Sequence, residues 1–282
     1  MDKLGLIAGG GALPLEVAAF CERAGRPLHV VRLKGLAAEA LKRFDGQDAG
    51  LAEFGKILDG MRKSGVAAVC LAGIVNRPNF STLVPDLKGM AVLPGVIAAA
   101  GKGDDTLLRH MVGLFEREGF RVEGATDVVS DLLLAQGPLG RVRPGERDLR
   151  DAARALDTAS RIGALDIGQG AVVCAGLVLA VEAQEGTDEM LRRVGGLRTE
   201  IRGSTSDRRG VLAKVPKPIQ ERRVDLPTIG VSTVEAAAAA GLAGIAGEAG
   251  GLIVLEREST IAAADRLGLF IWGAPLRGPE PG

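Results

Sequence analysis

Apolar residues in the first half of the chain arrive in short unbroken runs, and between those runs they recur at helical spacing. Residues 4–8 (LGLIA) have the length of a strand and run into three glycines. Leu13, Val17, Phe20 and Cys21 then return every three or four positions, which predicts a helix over 13–24. A strand follows over 27–33 and a helix over 51–63. Residues 66–72 are apolar throughout, as in a strand buried on both faces of a parallel sheet. Leu107, Leu108, Met111, Val112 and Phe115 form one stripe of a helix over 104–118, and 120–123 closes the half as a strand. Strands alternating with helices predict a doubly wound, Rossmann-like α/β domain.

The run GPLGRVRPG at 137–145 breaks this pattern and reads as a linker. It divides the chain into an N-terminal domain over 1–136, the linker 137–145 and a C-terminal domain over 146–282. The second domain begins with a helix over 147–163, and its apolar stretch 171–183 makes one or two strands. Thr187 or Asp188 is placed to cap a helix that runs through Arg193. Residues 210–215 are strand-like, and Ser232 with Glu235 reads as a capping box that opens an alanine-rich helix. Residues 252–255, a helix over 259–267 and a run at 269–272 complete an α/β domain with a mixed sheet. The final GPEPG, 278–282, reads as a frayed tail.

Composition narrows the function classes. At 282 residues, 46% hydrophobic and 25% charged, the chain has the make-up of a soluble globular protein with room for two cores. Its formal net charge is zero, so no global attraction to nucleic acid is expected. The beginning lacks a secretory apolar region, and the longest apolar run, 171–181, is too short to span a bilayer. The expected location is cytoplasmic. Cys21, Cys70 and Cys174 lack metal or redox spacing and read as core. His29 and His110 are the two histidines, which excludes histidine-rich metal centres. A hydrolase built on this chain would rely on carboxylates, lysines, backbone amides and a hard cation.

Several stretches carry candidate chemistry. Gly9, Gly10 and Gly11 lie between a strand and a helix, where backbone amides favour an anion. As a dinucleotide fingerprint the loop is imperfect, because Pro14 stands where the third glycine belongs and the second strand lacks the acidic ribose ligand. A tight turn explains one or two of the glycines. Asn76 and Arg77 follow the buried strand, at the end where open α/β sheets bind ligands, or form an ordinary turn before Pro78. Asp104 and Asp105 open a helix after Gly103; spacing favours a cap, and a cation or ribose is the alternative. Gln169, Thr187 and Asp188 flank the apolar strand region and either gather at one mouth or sit in strand-end turns.

From Arg192 to Arg223 there are ten Lys or Arg against three Asp or Glu. Such an excess is either a solvated face or a field for an anion. The stretch KVPKPIQERRVDLPTIGVST, 214–233, continues the theme with prolines at 216, 218 and 227 that forbid a continuous helix. Asp225 sits there between two arginines and a Pro-Thr-Ile-Gly turn, a setting that keeps a carboxylate ionised.

Six stretches in order carry a resemblance: GLIAGGGALP at 5–14, AGIVNRP at 72–78, GDDTLL at 103–108, DIGQ at 166–169, AVEAQEGTD at 180–188, and 214–233. Together they resemble the metal-dependent UDP-2,3-diacylglucosamine pyrophosphatases of lipid A biosynthesis, the class unrelated to calcineurin-like phosphoesterases. The resemblance implies hydrolysis of UDP-2,3-diacylglucosamine to 2,3-diacylglucosamine 1-phosphate (lipid X) and UMP, with water attacking the sugar-side phosphorus. It implies that Asp225 is the essential carboxylate, binding Mg²⁺ (or Mn²⁺) or orienting the water, in a cleft between the domains. Substrate contacts are expected at Gly10, Gly11, Ala12, Asn76, Gly103 and Asp104, and at Gln169, Thr187, Asp188, Lys214 and Lys217 in the second half.

A diacylated substrate further implies weak peripheral contact with the inner face of the inner membrane, and a homodimer is possible. Phe270, Ile271 and Trp272 would graze lipid on that view, although alternation in a buried strand explains them better. Likewise the Ala/Gly-rich 236–251 leaves room for acyl chains or simply packs a helix closely. Two rivals remain. A nucleotide-sugar oxidoreductase would bind NAD(P), and a lipid carrier would bind substrate without releasing UMP.

Overall fold

In the computed structural model, residues 1–218 and 221–275 are described. They form two compact units, the first made of Met1–Ser130 with Glu221–Asp225 and the second of the remaining residues. The first contains β1 (Leu4–Ala8), α1 (Leu13–Arg23), β2 (Leu28–Leu33), β3 (Gly46–Ala49), α2 (Phe54–Lys63), β4 (Ala68–Ala72), α3 (Leu87–Ala100), α4 (Asp104–Arg117), β5 (Arg121–Val122) and α5 (Ala125–Val128). Its five strands are all parallel, in the order β3-β2-β1-β4-β5. All five residues of β1 are buried, because helices cover both faces of the sheet. Ile7, Val31 and Val69 pack with Phe54, Ile57, Leu58 and Phe115 of α2 and α4. The strand order reverses between β1 and β4, and open α/β sheets bind ligands beyond the carboxyl ends of strands at such a point.

The second unit contains β6 (Gly137–Leu139), α6 (Glu146–Ala164), β7 (Gly170–Cys174), β8 (Leu177–Val181), α7 (Gly186–Gly195), α8 (Thr199–Arg202), β9 (Val211–Lys214), β10 (Thr228–Ile229), α9 (Val231–Ala239), β11 (Gly244–Glu248), β12 (Ile253–Val254), α10 (Arg257–Leu267) and β13 (Phe270–Ala274). Its six-stranded sheet is mixed, in the order β6-β13-β11-β9-β7-β8. The central β13, β11 and β9 are parallel, with β6 and β7 antiparallel to their neighbours. On one face Ala152, Ala155 and Ala159 of α6 meet Val173, Val211 and Phe270. On the other, α7, α9 and α10 supply Met190, Val194, Val234, Ala237 and Ala263.

The structure departs from the sequence reading in several places. Gly137–Leu139, inside the expected linker, is an edge strand bonded to β13; proline is tolerated on an edge, where its missing N–H costs no ladder bond. Glu221–Asp225, inside the stretch read as the C-terminal domain, clusters with the first unit, where the Glu221 N–H bonds to Asp105, Arg223 pairs with Glu116 and Val224 packs on the core. The alanine-rich helix starts at Val231 with Gly230 at its N-cap, so Ser232 is already inside it and no capping box forms. Within 236–251 the glycines build β11 rather than leave space: a methyl on Gly244 would lie 2.5 Å from the Phe270 ring, and one on Gly247 2.4 Å from Leu252. Phe270 and Ile271 are buried in β13 and face no lipid. Residues 278–282, read as a tail, lie outside the described residues.

Candidate active site

At the switch point, two loops lace together. Gly10 N–H donates to the Ile74 carbonyl at 2.9 Å, and Ile74 N–H returns a bond to the Gly10 carbonyl at 2.8 Å. Gly9 bonds back to Ala72 at 2.9 Å, which fixes the turn to the end of β4. Helix α1 begins two residues after Gly11 with no side-chain cap and with Pro14 in its first turn. Among the described residues, the N–H groups of Gly11, Ala12 and Leu13 find no protein acceptor. Unpaired amides at a helix start suit a phosphate, since they supply donors and the positive end of the dipole together. Asn76 and Arg77 continue the β4 loop as exposed residues, with Arg77 donating to the Ala100 carbonyl at 2.5 Å.

Helix α4 opens differently from the capped helix the sequence suggested. Gly103 holds the N-cap at φ 121°, a conformation that favours glycine, and neither aspartate caps. Asp104 is exposed in the first turn, whereas Asp105 is buried. Its carboxylate accepts the Glu221 N–H at 2.8 Å and pairs with Arg109 at 2.9 Å. Asp105 is thus the anchor of the segment that carries Asp225. Further along, Arg223 pairs with Glu221 at 2.9 Å and Glu116 at 2.8 Å, and Val224 packs on the first unit's core. The hydrogen bond from Arg223 holds the Glu221 carboxyl below the usual glutamate range, and the two carboxylates push the Arg223 guanidinium up. Asp225 itself is half-buried, its N–H bonded to the Glu221 carbonyl at 3.1 Å. Among the described residues no three His, Cys, Asp or Glu side chains converge as a metal cage requires.

In the second unit, the carboxyl end of β9 gathers three of the expected residues. Lys214 is buried, and its Nζ donates to Thr187 Oγ1 at 2.8 Å and to the Thr228 carbonyl at 3.2 Å. Thr187 Oγ1 in turn donates to Glu182 Oε1 at 2.9 Å, instead of capping α7. Gln169 lies beside them through its carbonyl, which accepts the Val215 N–H at 3.0 Å. Glu182 Oε2 and Gln169 Oε1 are buried without a hydrogen-bond partner among the described residues. Lys217 pairs with Asp166 at 2.7 Å, and Asp188 is exposed and outside this group. The sequence reading gives Glu182 and Asp166 no role, and gives Asp105 a cap, a cation or a ribose rather than the anchoring it performs. Their position at the ends of apolar strands or in a helix's first turn was the available signal.

Much of the basic run from Arg192 to Arg223 is spent on structure. Arg202 donates to the carbonyls of Leu197, Gly203 and Ala240, and Arg208 to that of Ala238. Arg192 pairs with Glu189, and Arg193 pairs with Glu185 at 2.6 Å. The three cysteines are buried and in no disulfide, and burial pushes the Cys70 thiol up to about 12. An open hollow of about 550 Å³ beside α2, lined by Lys56, Asp59, Lys63 and Asp86, holds none of the residues singled out above.

Unpaired amides at a parallel-sheet switch point, and a lysine-bearing polar group at the carboxyl end of an interior strand of a mixed sheet, describe a two-unit α/β protein suited to a phosphate-bearing ligand. Family models for the LpxI N-terminal domain and the LpxI C-terminal domain match residues 3–132 and 135–272, and the chain belongs to the LpxI family. It is 60% identical over 273 residues to the UDP-2,3-diacylglucosamine pyrophosphatase LpxI of Caulobacter vibrioides, covering 97% of this chain and 98% of that one. Among solved structures it matches CobK precorrin-6A reductase at 13% identity and a TM-score of 0.34, over all of this chain and 90% of that one. That likeness is too slight to carry a fold or a function.

Proposed function

We propose that this chain hydrolyses the pyrophosphate bond of UDP-2,3-diacylglucosamine, releasing UMP and 2,3-diacylglucosamine 1-phosphate. The observation that carries the reading is the 60% identity, along nearly the whole of both chains, to a protein of that name. Water attacks the sugar-side phosphorus, that phosphorus loses its bond to the bridging oxygen, and UMP departs with the oxygen. The Gly11, Ala12 and Leu13 amides supply fixed donors to phosphate oxygens, with Asn76, Gly103 and Asp104 as further contacts in the first unit. In the second unit, Lys214 and Lys217 are the candidate partners for phosphate charge, with Gln169 and Thr187 beside Lys214 and Asp188 exposed apart from them. Asp225, on a segment anchored by Asp105 and Glu116, holds the metal or orients the attacking water.

Magnesium fits this donor set, because it is bound through one or two carboxylates and the substrate's phosphates and needs no protein cage. When bound by Asp225 and the diphosphate, such a cation neutralises charge and activates water. The enzyme would work at the cytoplasmic surface of the membrane that holds its substrate. In a UMP-release assay, Asp225→Ala should fold normally, since the residue lies in a polar, half-buried loop. It should lose about 10²–10³ in kcat while still binding substrate. Asp225→Asn should fall nearly as far, and EDTA should silence the unsubstituted chain. Turnover by Asp225→Ala within a few-fold of the parent would remove Asp225 from the mechanism.

A further inference from the structure

Helix α3 has one charged side chain, Lys88, in its 14 residues, and it is apolar on the side that faces water. Val92 and Val96 pack toward the core, as an amphipathic helix requires. Leu87, Met90, Ala91, Pro94, Ile97 and Ala98, spaced three and four apart, are exposed along one stripe. Leu87 is 81% exposed and the preceding Val84 83%. Ile74 and Val75 are exposed as well, and the Arg77 bond to Ala100 ties their loop to the carboxyl end of this helix. An apolar face of this extent is a cost in water unless something covers it.

Charge points to the occupant. Residues 73–104 contain Arg77, Lys88 and Lys102 against Asp86 and the exposed Asp104, with buried Asp105 following. Lys88 is paired with Glu118 at 3.0 Å, so Arg77 and Lys102 are the cations the face presents. The Asp86 carboxylate is occupied inward, accepting the N–H groups of Gly55, Lys56 and Gly89 at 2.7–3.1 Å. A second copy meeting this face by two-fold symmetry would set the patch against itself and bring like charges together. An anionic surface would not. We propose that α3 and the loop before it dock on an anionic lipid bilayer, the stripe entering the headgroup boundary while Arg77 and Lys102 meet lipid phosphates. No described helix is long and apolar enough to cross a membrane, so the contact is interfacial. The inference rests on the proposed function in one respect, that a diacylated substrate resides in such a surface.

Flotation of the full chain with vesicles tests the docking without needing turnover. The chain should float with phosphatidylglycerol-containing vesicles, float poorly with phosphatidylcholine alone, and be released by salt. Combining Leu87→Gln, Met90→Gln and Ile97→Gln should lower partitioning at least about tenfold, because buried methylenes supply the binding. Its melting temperature and its hydrolysis of detergent-dispersed substrate should stay unchanged. Flotation of the triple variant equal to the parent's, or no flotation of the parent on anionic vesicles, would overturn the proposal. So would a parent dimer that the triple variant converts to monomer. Absence of hydrolysis by the parent chain would instead count against the enzymatic reading and leave the flotation result standing.

Discussion

Gly9, Gly10 and Gly11 differ in what a methyl group would meet. On Gly9 it would lie 2.7 Å from the Ile74 carbonyl oxygen, and Gly11 has φ +83°, so both positions have a structural demand for glycine. On Gly10 the nearest atoms stand at 3.5 Å, an ordinary contact, and φ is not positive. The backbone therefore leaves Gly10 unexplained, and the proposed function supplies a reason, a diphosphate approaching the loop. Gly10→Ala is expected to change stability by no more than ~0.5 kcal/mol while raising KM for the nucleotide-sugar lipid. Thermal melts and steady-state kinetics on the one variant check both halves. Wild-type KM in a normally melting Gly10→Ala protein would move the phosphate away from this loop.

Among the elements, the segment carrying Asp225 and the end of β9 make distinct predictions. Glu221 is lowered mainly by its hydrogen bond from Arg223, so this anchor contributes stability above the ordinary glutamate value of 4.5 and loses it as pH falls through the depressed one. Amide exchange at Val224 and Asp225, corrected for intrinsic rates, should stay protected from neutral pH to below 4.5 and then open. Protection that ignores acid would mean another contact holds the loop. At β9, Glu182 fixes Thr187, which fixes Lys214. Glu182→Gln should raise KM about tenfold, on the scale of a charge-assisted hydrogen bond. Adding Thr187→Val should then cost little more, because both changes cut one chain; additive losses would refute the coupling.

These elements also mark how far the sequence could be read. Strands β1, β2 and β4 and helices α1, α2 and α4 were legible because apolar period and burial agree there. Helix α3 was not, since Pro94 interrupts it and its apolar stripe faces outward. Strand β11 hid among alanines and glycines whose smallness serves Phe270 and Leu252. Asp225 stands out in the sequence only through the resemblance of its surrounding motif, and the proposed role rests on that. The anchoring of its segment, through the Glu221 N–H to Asp105 across 116 positions of sequence, is not legible there, because no local pattern encodes a contact between distant segments.

For the whole molecule, the zero formal charge hides a division of labour. Most of the second unit's described arginines meet carbonyls or neighbouring carboxylates, so its basic run is largely structural. The central claim, hydrolysis at the sugar-side phosphorus, is tested most directly in water labelled with heavy oxygen. The full chain is incubated with Mg²⁺ and UDP-2,3-diacylglucosamine, and both products are weighed by mass spectrometry. UMP and diacylglucosamine 1-phosphate are expected in equal amounts, with the label in the sugar phosphate and none in UMP. Label in UMP would contradict the point of attack, and intact substrate with no UMP would contradict the activity itself.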